Sequence, residues 1–513
     1  MPQGDFQITV PAPRRTPVRR SVDDLNFEVK AIEVSGVTAY GAEVIHARTR
    51  PWIGRRAVLA DILALAEEIE AMYREDGYVL SRAIVPPQKV SDGIFRINVI
   101  EGYIAAVRVE GGSAATQERI ERALRPVIAT RPLNARLMER ALLLANDLPG
   151  LQAAGLLRPS VDEPGASDLV VSLTQTPLSG GLSVDNRGSR FVGPWTTNLD
   201  AAINSLFDQG ETITIGLGTA ADVEEKRSLQ LRYAQPVGAQ GLNLSFGGVY
   251  NKGAPGLTLR RLDVKTESLA FGPRATYPVI RSRAFNLILD AGVTFQQSET
   301  MVQNEQFSRD VWRVADLGMT LSEVGFLAGT SSLTLGAAQG LDAFGAAEAG
   351  STPLSRRYGR PDFTKFTGLL RRLQPLPENF SLSLTTQGQW SLSPLLAGEQ
   401  FAVGGRIGRG YDAGALTGDH GIGQSSEIRY DQRFEGVIKG IQPYAFYDIG
   451  ATWNRYPPGR QTDMISSTGA GMRLALDYAV NASLEFAQTL TQLPANTNDN
   501  HLRRIYFELS HRF

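Results

Sequence analysis

From about Leu178 to Phe513 apolar and polar residues alternate with period two, in segments of about 8–14 residues between Gly, Pro, Asn and Asp turns. Thr212-Ile-Thr-Ile-Gly-Leu-Gly, Leu242-Asn-Leu-Ser-Phe, Phe380-Ser-Leu-Ser-Leu-Thr and Ala482-Ser-Leu-Glu-Phe are clear cases. Successive side chains of a strand point to opposite faces, so each segment has one Leu/Ile/Phe face and one small or polar face. Membrane strands have this pattern, with lipid outside and a polar lumen inside. About sixteen segments fill the stretch, roughly 21 residues for each strand and its connection, as a tilted membrane strand of ~9–11 residues plus a turn requires. Tyr233, Trp390 and Tyr478 stand at segment ends, where membrane strands carry aromatic girdles. The last segment runs to Phe513, with Ile505, Phe507, Leu509, His511 and Phe513 on one face. A soluble β-sandwich tolerates such alternation but does not need so many long strands or outward aromatics.

Upstream the period changes. Phe27-Glu-Val-Lys-Ala-Ile-Glu-Val alternates like a strand, whereas Ala57 to Tyr73 carries Leu59, Ile62, Leu63, Leu65, Ala66, Ile69 and Met72 at helical spacing. Gly77 sits where the glycine after a helix belongs. Strands are expected over 78–85 and 93–100, the second after an Asp92-Gly93 turn. The order repeats from Ile104, with a strand at 106–110, helices near 117–124 and 134–144, and strands ending in Leu169-Val-Val-Ser-Leu. Two units of about 75 residues with one order of elements read as tandem α+β modules, 27–103 and 104–177. Residues 1–26, with Pro11, Pro13, Pro17, Arg14, Arg15, Arg19 and Arg20, read as a flexible segment. The whole pattern predicts tandem α+β domains followed by a roughly 16-stranded antiparallel transmembrane β-barrel over 178–513.

Composition narrows the chemistry. A net charge of −1 over 513 residues offers no basic surplus for nucleic acid. There is no cysteine, which excludes disulfides, thiolate catalysis and cysteine metal sites. His46, His420, His501 and His511 have no metal-ligand spacing, so neither metal nor cofactor is expected. No GxxxxGK followed by Ser or Thr occurs, so no nucleotide site is expected. Asp419-His420 is the one acid–histidine pair, and no serine motif accompanies it; an enzyme is not expected. No long apolar run of transmembrane-helix length exists. Met1 to Asp5 opens a polar stretch without the apolar core of a signal peptide, so a barrel implies an export signal that was removed or lies upstream of this numbering.

Two short stretches carry candidate chemistry. Ile407-Gly408-Arg409-Gly410-Tyr411 sets an arginine among glycines inside a long non-periodic segment, 394–420. Phe446-Tyr447-Asp448-Ile449-Gly450 lies in an alternating strand, so Phe446, Asp448 and Gly450 share one face and Tyr447 and Ile449 the other. A guanidinium that reaches this carboxylate forms a charge-assisted, two-point pair and fixes a loop inside a pore. Counting segments puts 394–420 between the eleventh and twelfth strands and Asp448 on the thirteenth.

Four blocks taken together resemble the outer-membrane transporters of two-partner secretion, the haemolysin and filamentous-haemagglutinin secretion family, within the superfamily of barrels with periplasmic POTRA domains. Tyr73-x-x-x-Gly77-Tyr78, Pro86-Pro87-Gln88, Asp92-Gly93 and Val99-Ile100-Glu101-Gly102 resemble its first POTRA domain. Leu143-Leu-Ala-Asn146-Asp147-x-Pro149-Gly150 resembles its second, and Asp185-Asn186-Arg187-Gly188-Ser189-Arg190 the stretch around its first barrel strand. The Arg409 and Asp448 segments are similar to its inward-folding loop motif and barrel-wall partner. This resemblance implies an exporter in the Gram-negative outer membrane with its POTRA domains in the periplasm. Such a protein binds a large unfolded exoprotein through the POTRA region, here Tyr78, Pro87, Gln88, Asp92, Gly93, Glu101 and Gly102, and passes it through the lumen. The resemblance further implies that Arg409 holds the loop to Asp448 and that Phe513 is a C-terminal assembly signal. Outer-membrane lipid and the barrel-assembly machinery would be its other partners, with no nucleotide or nucleic acid. Many relatives carry a pore-plugging helix before the first POTRA domain, and the first ~25 residues are too rich in proline for one. The competing reading within the superfamily is a factor that inserts other barrels, which usually carries more POTRA repeats. A passive porin leaves the repeats unexplained.

Overall fold

The computed structural model describes residues 27–90, 92–163, 165–351, 353–456, 462–491 and 503–513, in two compact units that divide after Gln175. The segment 1–26 expected to be flexible lies outside the described residues.

The first unit contains one order of elements twice. Its first copy has strand Ala31–Ser35, helices Ala42–Thr49 and Leu59–Glu75, and strands Arg82–Ile84 and Ile94–Ile100. Ile94–Ile100 is the central strand, parallel to Ala31–Ser35 and antiparallel to Arg82–Ile84. The second copy repeats this with Ile104–Glu110, helices Ala114–Ala129 and Ala135–Asn146, and strands Leu151–Pro159 and Ser167–Gln175. In the first, Ile62, Leu65, Ala66, Ile69, Met72 and Tyr73 form one helical stripe buried against Phe95, Ile97 and Val99. In the second, Ile120, Leu124, Met138 and Leu142 pack on Leu157, Leu169 and Val171.

Three local expectations change. The strand read from Phe27 breaks: Phe27–Glu28 pairs with Arg56–Ala57, and only Ala31–Ser35 enters the sheet. The strand read over 78–85 shrinks to Arg82–Ile84 because the chain is still closing the helix. Gly77, with φ +94°, donates to Arg74 O at 3.1 Å and Tyr78 donates to Tyr73 O at 2.7 Å, the paired bonds of a glycine-terminated helix. Helix Ala42–Thr49 had no periodic signal, since only Ile45 and Thr49 of its residues are buried.

The second unit is a closed antiparallel barrel of sixteen strands. They are β1 Leu178–Asp185, β2 Thr196–Asn204, β3 Thr212–Ala220, β4 Arg227–Val237, β5 Leu242–Gly253, β6 Val264–Arg281, β7 Phe285–Val302 and β8 Glu305–Val324. β9 Thr330–Gly340, β10 Thr364–Pro375, β11 Phe380–Ser391, β12 His420–Tyr430, β13 Ile438–Trp453, β14 Asp463–Leu476, β15 Val480–Thr489 and β16 Arg503–Arg512 complete it. Leu199, Leu217 and Leu229 stand opposite one another across β2, β3 and β4 and face outward, while the adjacent row Asn198, Gly218 and Ser228 faces the lumen. β6 and β7 have 18 residues each and β8 has 20, more than the alternation suggested. Their ends keep pairing through polar residues such as Ser268 with Ser298 and Glu267 with Glu299, after the lipid-facing apolar residues have run out. Tyr478 lies in the β14–β15 turn with φ +55°, not on a strand.

The β11–β12 connection, 392–419, contains a small hairpin of Phe401–Val403 paired with Leu416–Gly418. Asp448 lies on β13.

Candidate functional site

Alternation on β13 decides which groups meet the loop. Tyr447 is 44% exposed on the outer face, whereas Asp448 is 0% exposed on the inner one. Phe446, Asp448 and Gly450 therefore line up along the lumen side, and each receives a different part of the β11–β12 loop. The Phe446 ring lies under the Arg409 guanidinium, 3.4 Å from ring centroid to Cζ, a cation–π contact in a buried setting. Asp448 takes Arg409 Nε at 2.9 Å and Nη2 at 2.8 Å in a fork. Gly450 leaves room for Val403, since a Cβ there would come within 2.5 Å of Val403 Cγ1.

The glycines of the loop serve the same contact. Gly408 and Gly410, with φ +87° and +99°, flank Arg409 in the left-handed region. That backbone path aims two successive N–H groups at one oxygen: Gly408 and Arg409 donate to Asp448 Oδ2 at 3.3 and 3.1 Å. Ile407 packs with Phe401, Val403, Tyr411 and Leu416 against Ile465. Gly410 N–H donates to the Tyr506 hydroxyl at 3.2 Å, and the Tyr411 hydroxyl donates to Ser466 O at 3.2 Å.

Arg409 has more than one carboxylate. Nη1 donates to Glu427 at 2.8 Å and to Glu485 at 3.0 Å, and Nη2 also meets Ser425 Oγ at 3.0 Å. A guanidinium has five N–H donors, and all of them are engaged. Three acids around one buried cation would be too negative alone. Arg473 and Arg429 neutralise Glu427 at 3.1 and 2.6 Å, and Arg187 neutralises Glu485 at 2.9 Å. Ser425 donates to Asp448 at 2.7 Å and Tyr444 to Glu485 at 2.7 Å. The result is a fully bonded ionic core between the loop and β12, β13, β15 and β16.

Sequence reasoning did not name Ser425, Glu427, Arg473, Glu485 or Tyr506. A signal was present: Glu427 and Glu485 fall on the inward parity of strands whose outward positions are Ile428, Leu484 and Phe486.

The base of the loop has its own fastening. Asp419, 0% exposed, accepts from Arg356 at 2.5 Å, Leu395 N at 2.9 Å and Arg455 N at 2.8 Å. It thereby joins the β9–β10, β11–β12 and β13–β14 connections. Glu399 takes Trp312 Nε1 at 2.7 Å and Lys365 at 2.7 Å. His420 accepts from Ser391 N at 3.2 Å and stacks on Trp453, so Asp419-His420 is occupied in holding loops.

The POTRA-like residues divide. Glu101 accepts from Thr38 N at 2.7 Å, Ala39 N at 2.8 Å, the Tyr73 hydroxyl at 2.6 Å and the Thr38 hydroxyl. Gln88 donates to Arg96 O at 2.9 Å and accepts from Arg96 N at 2.8 Å, so its amide covers the edge of the central strand. Gly102 is buried and Tyr78 packs edge-on against Tyr40 and Tyr73. Pro87 and Asp92 are exposed, and Gly93 turns with φ +71°. In the first-strand block, Asp185 accepts from Arg187 N at 2.9 Å and from the Thr196 hydroxyl at 3.0 Å, Gly188 N donates to Pro194 O at 3.0 Å, and Ser189 O accepts from Val192 N at 3.1 Å. Asn186 and Phe513 both bond across the junction of β1 and β16.

Residues 165–474 match the family of haemolysin secretion/activation proteins ShlB/FhaC/HecB, and residues 27–102 match the ShlB-type POTRA domain. The heme/hemopexin transporter protein HuxB of Haemophilus influenzae is 23% identical, over 99% of this chain and 90% of its own length. The outer membrane transporter CdiB of Dickeya dadantii is 24% identical, over 83% of this chain and 76% of its own. Among solved structures, CdiB from Escherichia coli superposes with a TM-score of 0.78 at 20% identity, covering 97% of this chain and 93% of that one. BamA from Haemophilus ducreyi lacking POTRA domains 1–3 gives 0.55 at 13% identity, covering 95% and 100%. With its periplasmic POTRA region and its outer-membrane barrel, the chain belongs to the haemolysin secretion/activation family, the outer-membrane transporters of two-partner secretion.

Proposed function

We propose that this protein exports one large unfolded exoprotein, captured by the POTRA region and threaded through the barrel, with the Arg409–Asp448 pair holding the inward loop in its working position. The observation that carries the reading is the ionic core itself. Five engaged guanidinium donors and a fully buried carboxylate fix a loop inside a lumen, which a passive pore has no need of. A polar lumen gives a passing backbone partners for its hydrogen bonds, as hydrocarbon cannot. Capture follows the physics of strand addition, which relies on backbone groups and demands little of sequence. Gln88 blocks the central strand of the first module at Arg96, and Asn146 bonds both backbone groups of Ala153 at 2.8 and 2.9 Å on the edge strand of the second. Beyond Ala153 the edge strand continues to Pro159 with Ala154, Leu156 and Arg158 exposed, and this is the stretch proposed for an extended client. Seven client-contact positions were expected from the resemblance; Glu101 and Gln88 make their hydrogen bonds inside the first module, Gly102 is buried, and Pro87 and Asp92 remain on the surface of that module.

The test is deletion in the native host followed by comparison of the secreted and outer-membrane proteins. Loss of one large secreted protein with other barrels intact supports export. Depletion of many barrels would instead make the protein an assembly factor.

A further inference from the structure

The barrel closes at its weakest ladder. Among the described residues β1 and β16 share five paired positions, Gly181–Asp185 against Glu508–Arg512. Each other junction of consecutive barrel strands shares eight or more. At one end Gly180 and Phe513 exchange both backbone hydrogen bonds, at 2.9 and 3.1 Å. At the other, Asn186 continues the ladder with its side chain: Nδ2 donates to Ile505 O at 3.0 Å and Oδ1 accepts from Phe507 N at 2.6 Å. Past Asn186 the two sides are joined directly by Arg187, 3.8 Å from Glu508 and 4.9 Å over the Tyr506 ring, and also through the inward loop.

The bridging residue is Asp412, next to Tyr411. Its Oδ1 accepts from Arg504 Nη1 on β16 at 3.0 Å and from the backbone N–H of Arg190 in the β1–β2 connection at 3.2 Å. Its Oδ2 lies 3.2 Å from Arg190 Nε, and the side chain is only 15% exposed. One loop carboxylate thus holds a cation from each side of the seam. Remove it, and two arginines face one another across the shortest ladder of the barrel, with like charges that drive the sides apart.

We propose that Asp412 is a positioning residue that clamps the β1–β16 seam, so that the seated loop and the closed barrel stabilise each other. The clamp concerns barrel closure and stands whether or not the protein exports a client.

Hydrogen exchange on the full chain in detergent micelles tests it, with Asp412→Asn, Asp412→Ala and Arg190→Gln as variants. Peptides covering 178–185 and 503–512 are expected to exchange about ten-fold faster in the Asp412 variants, with β6–β8 unchanged. Arg190→Gln opens the bridge from its other side and gives the same seam-confined change, which covers the case where Asp412→Ala does not assemble. Because the chain has no cysteine, Ser183→Cys with Ser510→Cys, directly opposite across the seam, introduces a single disulfide. With that bridge oxidised the effect of Asp412→Asn disappears, and on reduction it returns. Wild-type exchange at the seam in both Asp412→Asn and Arg190→Gln would overturn the clamp. So would acceleration spread over β6–β8, or acceleration that survives the closed disulfide.

Discussion

Arg409 and Asp448 meet through a fork, Nε to Oδ2 at 2.9 Å and Nη2 to Oδ1 at 2.8 Å, with the carboxylate wholly buried. Asp448 also accepts the N–H groups of Gly408 and Arg409, so its loss removes side-chain and backbone anchors together. Removing one partner of a buried, hydrogen-bonded pair costs about 3–5 kcal/mol, far more than an exposed loop contact supplies. Asp448→Ala and Arg409→Ala are therefore expected to leave a folded barrel, seen as unchanged heat-modifiable migration, and to reduce export of the client at least ten-fold. Export at the wild-type level in both variants would remove the loop contact from the mechanism.

Arg409→Lys separates charge from geometry. An ammonium is a compact point charge and cannot supply a planar fork to Asp448 while reaching Glu427 and Glu485. It also gives up the flat contact with Phe446, 3.4 Å from the guanidinium carbon. The expected result is export well below wild type despite conserved charge. Equality of Arg409→Lys with wild type in a secretion assay would mean that charge alone seats the loop.

Strand counting put the loop and the carboxylate on the right elements because β-period is two and each barrel strand declares its lipid face with Leu, Ile or Phe. That logic finds Asp448 directly. It falls short for Arg409, whose other partners lie on β12 and β15; residues separated by 18 and 76 positions meet only once the barrel has closed. The long strands β6–β8 were under-read because their outer ends are polar, and strand length there is carried by pairing with neighbours. Helix Ala42–Thr49 escaped notice because it has little apolar stripe to read. In the POTRA region the resemblance marked Glu101 and Gln88 as candidate client contacts, while their hydrogen bonds run to Thr38, Ala39, Tyr73 and Arg96 inside the module.

The outer fastening of the loop is separable from the inner one. Asp419 holds Arg356 together with the backbone at Leu395 and Arg455, and Arg356 Nη2 also reaches Asn454 at 3.1 Å. Arg356→Ala leaves Asp419 two backbone donors, so the loop base should stay seated while the β9–β10 connection is released. Trypsin added to whole cells is expected to cut at Arg357 or Arg360 several times faster in this variant. Unchanged cleavage would show that the apolar packing of Phe363, Leu395 and Leu396 with Trp312 holds that connection by itself.

Glu101 makes the first module sensitive to acid. Burial alone would raise its pKa, but hydrogen bonds from the Thr38 and Tyr73 hydroxyls and from the Ala39 and Thr38 amides stabilise the anion and bring it below the usual glutamate value. The same contact, with burial acting first, raises the pKa of Tyr73, which stays protonated and donating at neutral pH. A depressed folded-state pKa means that the unfolded chain binds the proton more readily. The stabilisation is therefore complete above the unfolded value of about 4.3 and is lost as pH falls below it through the folded value. Glu101→Gln keeps the Oε1 acceptor that both amides use but removes the charge, costing about 1–3 kcal/mol at neutral pH. Thermal unfolding of the periplasmic unit, followed by hydrogen exchange over 94–100 in the full chain, is expected to show the variant below wild type at pH 7. The gap should narrow as pH falls below about 4.3 and close once pH has passed through the lowered folded value, where wild-type Glu101 is protonated as well. A gap that stays constant between pH 7 and pH 3 would assign the loss to packing around Thr38 and not to the carboxylate charge.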